Sequence, residues 1–306
     1  MEKRLFGVFH AIIFYSERHK LTPMTNTSRI EPIDYLLIGH VTSDLQSDGS
    51  TKLGGTASFS GVTAHQLGHK VGILSSHAEN EHLYALSAIQ VFNASPGQTT
   101  CFRNITTPAG RQQYCYQRGS ILSAKDVPAA WRDAPIVHLG PVAGEIAPDL
   151  FDAFPGSLLC CTPQGMLRAI AEDGKVTFQD YPDKERLLPK ADAIVLSFED
   201  LQRDEALIEK YASLCKLLVV TENKDGARVY WKQEMRSFAA PEKDSLDETG
   251  AGDIFAACFF HRLHATQDPW EAARFAVELS AISVTRVYLE SVPSLEEIEQ
   301  ARRQVV

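Results

Sequence analysis

The chain is predicted to fold as a layered α/β protein around a mostly parallel central sheet, and three observations carry that prediction. Apolar runs of strand length recur at 33–39, 70–75, 135–139, 157–161, 192–196 and 217–221. Several, such as AIVLS and LLVVT, are almost continuously apolar, as strands buried on both faces of a parallel sheet must be. Stretches with helical spacing lie among and after them, at 57–67, 204–215, 250–264, 268–286 and 294–303. Strands alternating with helices imply crossover connections, and ligands of such sheets sit beyond the carboxyl ends of the strands.

Taken in order, the first segment to justify is the start. MEKR followed by LFGVFHAIIFY has a basic beginning and a short apolar stretch. It falls short of the roughly 20 apolar residues a membrane span needs, and no A-x-A-like cleavage site follows. Met24 offers a second start just before the strand IDYLLIGH. Residues 1–23 are therefore expected to be a disordered extension or a mis-assigned start, and 24–306 a single domain. Residues 96–120 break the strand–helix alternation: polar and apolar residues alternate around Pro108-Ala109-Gly110, which predicts an antiparallel hairpin inserted as a lid.

Composition excludes several classes of partner. Of 306 residues, 44% are hydrophobic and 23% charged, as in an ordinary globular protein. Thirty Lys and Arg against 39 Asp and Glu leave a formal charge of −9, which repels nucleic acid and anionic membranes. An anionic ligand then needs a local capture device. The six cysteines form no C-x-x-C pair, so they are read as thiols of a reducing, cytoplasmic compartment, with Cys160-Cys161 inside a buried strand. The ten histidines show no metal-ligand spacing.

That device is sought in Asp247-Glu248-Thr249-Gly250-Ala251-Gly252-Asp253, which runs into IFAACFFHRL. Ile254, Phe255, Cys258, Phe259 and Leu263 fall at helical spacing, so a helix is expected to start near Thr249, with Thr249 as its N-cap. Two glycines in a first turn cost about 1 kcal/mol each relative to alanine, which packing alone does not repay. They permit a ligand to approach the backbone, where the amides of Gly250, Ala251 and Gly252 and the helix dipole form an anion site. A carboxylate in the same turn repels a resident anion. It makes sense if Asp253 takes a proton from a hydroxyl attacking phosphorus while the amides hold the charge on the transferred group. An acidic first turn with small residues for packing is the plainer alternative.

The D-E-T-G-A-G-D stretch resembles the D-T-T-G-A-G-D motif of the ribokinase-like (PfkB) family of carbohydrate kinases, differing only at Glu248. The resemblance implies a three-layer α/β/α sandwich with a small β lid and ATP-dependent transfer of the γ-phosphoryl group to an alcohol, with Asp253 as base. It extends over about 33–298. Asp44, in Gly39-His40-Val41-Thr42-Ser43-Asp44, is similar to the family's substrate-holding aspartate, and Gly54-Gly55 to its Gly-Gly element. Phe59 stands where the family usually has Asn; a ring there removes polar contacts, so the acceptor is expected to differ from ribose. Gln164 and Arg168 resemble, weakly, an acceptor-side element of some sugar kinases. Ser197-Phe198-Glu199-Asp200 replaces N-x-x-E, implying that Glu199 and Asp200 handle magnesium through water. Thr221, Asn223 and Gly226 are similar to the T-L-G-x-x-G-A nucleotide loop, and Thr249 joins the donor side. LGGTASF, GPVAGEI and TENKDGARVY are most similar to the myo-inositol kinase branch of the family.

The sequence therefore reads as a phosphotransferase using ATP and Mg2+ on a small sugar, cyclitol or nucleoside. A monovalent cation near Asp247 is known in some relatives, and a homodimer stays open. No Walker A pattern or dinucleotide fingerprint competes. A non-catalytic relative that binds sugar or nucleotide and acts through a partner is the alternative, motivated by the altered S-x-x-D element.

Overall fold

The structure, a computed structural model, describes residues 30–107 and 110–304. The expected extension at 1–23 and part of the turn at 108–110 lie outside the described residues.

Strand β1 (Tyr35–Ile38) is buried throughout; Tyr35 and Leu37 enter one core while Leu36 and Ile38 enter the other. That two-residue alternation with apolar side chains on both faces is why the run looks continuous in sequence. β2 (Thr42–Leu45) and β3 (Thr51–Gly54) then leave as an antiparallel pair, and α1 (Gly55–Gln66) leads back to β4 (Val71–Ser75), parallel to β1. β5 (Gln90–Asn93) adds an edge strand. β6 (Thr100–Thr107) and β7 (Gly110–Gln117) pair antiparallel where a hairpin was expected, and β6 also pairs with β2. The insert is thus a four-stranded sheet, β3-β2-β6-β7, larger than the hairpin alone.

β8 (Ile136–Leu139) and β9 (Leu158–Cys161) extend the main sheet, and β10 (Arg168–Ile170) with β11 (Val176–Phe178) forms a side ribbon. After α2 (Lys184–Leu187) come β12 (Ala193–Ser197), α3 (Glu205–Leu214) and β13 (Leu217–Thr221). β14 (Ala227–Trp231) and β15 (Glu234–Phe238) close that edge antiparallel. The main sheet has nine strands in the order β15-β14-β13-β12-β9-β8-β1-β4-β5.

Helices α4 (Ala251–Thr266), α5 (Pro269–Ser283) and α6 (Leu295–Gln304) join α1 on one face; α2, α3 and several short turns cover the other. α5 starts where Asp268 accepts from the amides of Trp270 and Glu271 with Pro269 at its first position, a strong start signal. Ile254, Phe255, Cys258, Phe259 and Leu263 are all buried, as their spacing predicted. Each fully buried phenylalanine contributes about 1.5–3 kcal/mol relative to exposure, so α4 is anchored firmly behind its first turn. All six cysteines are free thiols, and Cys160 and Cys161 are buried in β9. Among the described residues no helix is long and apolar enough to cross a membrane.

Candidate active site

A cleft of about 1270 Å³ opens at the carboxyl ends of the parallel strands and runs under the lid sheet. One end is lined by Thr42, Asp44, Phe102, Asn104 and Gln113 of the lid; the other reaches the loop after β13 and the face of α5. The turn at 249–253 lies between them.

The turn is built differently from the expectation. Gly250, not Thr249, is the N-cap of α4, with φ +80°, and no side chain caps the helix. The Thr249 amide donates to Asp247 Oδ1 at 2.9 Å, and the Ala251 amide donates to Glu248 O at 3.2 Å. Ala251 N–H is therefore shared with the turn rather than fully available. A glycine in the left-handed region followed by helical residues turns successive N–H groups toward one concavity, the arrangement of an anion-binding nest. A Cβ built on Gly252 meets nothing within 4 Å, so the space before the turn is open to a ligand.

Asp253 is half-buried in the first turn of α4. Thr56 Oγ1 donates to its Oδ1 at 2.7 Å, and Ser60 Oγ donates to its backbone carbonyl at 2.8 Å. Removal from water pushes its carboxyl up to about 6; the Thr56 bond and the Arg168 guanidinium oppose that rise, and the carboxylates of Asp200 and Asp44 add to it. The group is ionised at neutral pH yet basic enough to accept a proton, which is what general-base chemistry requires.

At the lid end of the cleft, Thr42 Oγ1 donates to Asp44 Oδ1 at 3.0 Å. A Cβ at Gly54 would stand 2.5 Å from Asp44 Oδ2, so only glycine leaves that carboxylate its place. Gly55 has φ +83°, and its ideal Cβ would stand 2.8 Å from His40 O. Arg168 Nη1 donates to Val142 O at 2.8 Å, and its guanidinium lies over the Phe102 ring at 5.4 Å. Gln164 faces the opposite end of the cleft instead, its Nε2 donating to Asp200 Oδ1 at 3.1 Å. Phe59 borders the cleft but is 1% exposed, and an ideal Cβ at Gly250 would stand 2.2 Å from its ring. The ring supports the turn from beneath, against Gly250.

At the opposite end of the cleft, Ser197 and Thr221 stand side by side at the ends of β12 and β13. Ser197 N donates to Asp200 Oδ2 at 2.9 Å and Asp200 N donates to Ser197 Oγ at 3.1 Å, the reciprocal geometry of a helix-start box. Glu199 Oε1 accepts from Arg203 Nη2 and Asn223 Nδ2, both at 3.0 Å. Asn223 takes φ +51° in place of glycine, and Gly226 has φ +100°. Both carboxylates line the cleft: Asp200 accepts through Oδ1 from Gln164 and through Oδ2 from Ser197 N and acts on Asp253, and Glu199 is engaged through Oε1, so either fits a magnesium ion reached through water. Asp247 spends both oxygens on amides, Oδ1 on Thr249 and Oδ2 on Tyr288 at 3.2 Å, with the Lys52 ammonium helping to hold its carboxyl below the usual range.

Sequence reasoning missed Thr56 and the lid pair Asn104 and Gln113, whose Nε2 donates to Asn104 Oδ1 at 3.0 Å. A hydroxyl immediately after Gly54-Gly55 was the available sign for Thr56, and two-residue spacing puts Phe102 and Asn104 on one face of β6.

Residues 178–295 match the pfkB family of carbohydrate kinases. Inositol 3-kinase of Zea mays is 31% identical over 152 residues, covering 48% of this chain and 39% of that protein. The match thus spans less than half of that relative's length, and it meets the expected nearness to the inositol kinase branch. A pyrophosphate-dependent myo-inositol-1 kinase, converted into a myo-inositol-3 kinase by substitution, superposes with a TM-score of 0.73 at 19% identity over 89% of this chain and 100% of its own. Ribokinase of Arabidopsis thaliana complexed with ribose and ATP gives 0.66 at 16% identity over 89% and 99%. At such identities the likeness is one of fold. Residues 178–295 thus carry the pfkB-family carbohydrate kinase match, on a chain whose fold is that of the ribokinase-like structures.

Proposed function

We propose that the protein transfers the γ-phosphoryl group of ATP to a hydroxyl of a small polyol, with a cyclitol such as an inositol as the first acceptor to test. The observation that carries this reading is Asp253, a carboxyl raised to about 6 beside an open, amide-lined turn in the middle of a two-ended cleft. The acceptor lies against Asp44, Asn104 and Arg168, its reacting hydroxyl toward Asp253. Asp253 takes the hydroxyl proton as oxygen attacks the γ-phosphorus, the bond from that phosphorus to the bridging oxygen breaks with ADP as leaving group, and the turn amides of Gly250 and Gly252 stabilise the spreading charge. Positioning does most of the work, since a base supplies only about 10²–10⁴-fold. Asp200 and Glu199 would hold, through water, a magnesium ion whose charge would offset that of the donor phosphates. The inositol 3-kinase relative supports a cyclitol acceptor.

Two fold neighbours differ in donor, one pyrophosphate-dependent and one complexed with ATP. The donor half of this cleft continues into a slot walled by Gly226, Ala240, Pro241, Val277, Ala281 and Val284. Those walls suit the flat face of a purine, while Lys224 and Lys243, which line the same cleft, can meet the phosphates of either donor. ATP is therefore expected to outperform pyrophosphate at least about tenfold in kcat/KM. A panel of inositols, pentoses, hexoses and nucleosides with either donor, read by product phosphate ester, tests both assignments. Turnover on any acceptor retires the binding-protein alternative; turnover with pyrophosphate alone refutes the nucleotide slot.

The proton-accepting form of Asp253 is lost on acidification, so kcat/KM should fall below about pH 6. Thr56→Val removes a bond that favours the carboxylate, so the acid limb should move to higher pH. A pH–rate profile in which the limb stays put, or moves down, counts against the assigned base.

A further inference from the structure

The segment between α5 and α6 contains one residue that touches both halves of the cleft machinery without lining the cleft. Tyr288 is a non-glycine residue at φ +48°, a conformation that persists only where surrounding contacts impose it. Its main chain faces the anion turn: the amide donates to Asp247 Oδ2 at 3.2 Å, and Asp247 Oδ1 in turn accepts from Thr249 N at 2.9 Å. The amides of Leu246 and Asp247 both donate to Val284 O, at 2.8 and 3.1 Å, which ties the approach to the turn to the same segment.

Its side chain faces the lid. Gln46 Nε2 donates to Tyr288 Oη at 2.9 Å and, with its second hydrogen, to the carbonyl of Asp44 at 2.7 Å. The ammonium of Lys52, on β3, lies 4.0 Å from the centre of the Tyr288 ring. The ring also leans on Phe59, with centroids 6.5 Å apart, and Phe59 is the ring packed against Gly250. Two routes therefore run from the lid strand that carries Asp44 to the turn that carries Gly250: one through Gln46, Tyr288, Asp247 and Thr249, the other through Tyr288 and Phe59.

We infer that Tyr288 is a positioning residue that locks the 249–253 turn to the β2–β3 edge of the lid sheet, so that the seating of Asp44 sets the geometry of the phosphate-holding amides. It touches no reacting atom; it couples the acceptor clamp to the anion turn. Its kinetic consequence rests on the phosphotransferase reading above, but the mechanical coupling does not.

The test uses the full chain in three forms: wild type, Tyr288→Phe and Tyr288→Ala. Amide hydrogen exchange, read without any ligand, should show the 248–252 amides and the β2–β3 edge losing protection together, modestly in Tyr288→Phe and strongly in Tyr288→Ala. In turnover with ATP and the best acceptor of the panel, Tyr288→Ala should lower kcat roughly 10- to 100-fold, the penalty of an ångström-scale misplacement, with the acid limb near pH 6 unmoved. Tyr288→Phe keeps the ring contacts and should lose only a few-fold. If Tyr288→Ala is too unstable to purify, Gln46→Met alone, which removes the lid-side bonds to Tyr288 Oη and the Asp44 carbonyl, must still deprotect 248–252. A variant that only lowers the melting temperature, with kcat per folded molecule and exchange at 248–252 unchanged, overturns the inference. A wild type inactive on every acceptor overturns the phosphotransferase reading alone, and exchange still decides the coupling.

Discussion

Asp253→Asn is expected to lower kcat at least about 100-fold while leaving the affinity for a non-hydrolysable ATP analogue nearly unchanged. The carboxyl lies on α4 with Thr56 Oγ1 at 2.7 Å, so the amide side chain fits the same space and can keep a bond to that hydroxyl. What disappears is the proton acceptor, and the turn amides that hold the transferred group remain. Stability should move the other way. The folded-state value of about 6 lies above the ordinary 3.8, so the folded protein binds more protons than the unfolded chain between those values. Stability contributed by this group therefore falls as pH rises from about 4 to about 6 and stays lower at neutral pH. Asparagine never ionises and escapes that cost, so the variant should melt higher than wild type at pH 8. A dead variant that also melts lower points to a distorted turn rather than a missing base, and an unchanged kcat removes Asp253 from the reaction.

That opposition between activity and stability is a sign that the first turn of α4 was not shaped by packing, and the sequence already carried the sign in two glycines beside an acid. Other features were legible for equally physical reasons. AIVLS and LLVVT stand out because burial on both faces leaves no polar position, and the α4 stripe stands out because five large side chains repeat at helical spacing. β2 and β3 escaped notice because TSDL and TKLG are short, partly exposed strands of a small sheet. Thr56 and Asp253 meet across 197 residues, a pairing that no local pattern encodes. Thr249 looked like a cap by residue type alone; a glycine at positive φ displaced the helix start by one position and spent the Ala251 amide on the turn. Phe59 stood out in sequence only by its lost amide. Its partner, Gly250, lies 191 residues away, so its part as a support under the turn was not legible.

Gly250→Ala should be the most damaging single substitution outside Asp253, and the reason is the contact with that ring. Alanine in the left-handed region costs roughly 1–2 kcal/mol. The new Cβ would also stand 2.2 Å from Phe59 Cδ1, and Phe59 is 1% exposed with no free space to withdraw into. Overpacking of that kind costs typically about 1–3 kcal/mol, and the turn is the part free to yield. If it yields by an ångström the amides miss the transferred group, and kcat falls about 100-fold or more. Combining Gly250→Ala with Phe59→Leu separates the two costs. The smaller side chain makes room for the Cβ but leaves φ +80° as demanding as before. Melting of the double variant should therefore be less impaired than the sum of the single variants by at least about 1 kcal/mol, while kcat stays low. Strict additivity would mean that the ring does not hold the turn, and full recovery of kcat would mean that the left-handed glycine is dispensable for placing the amides.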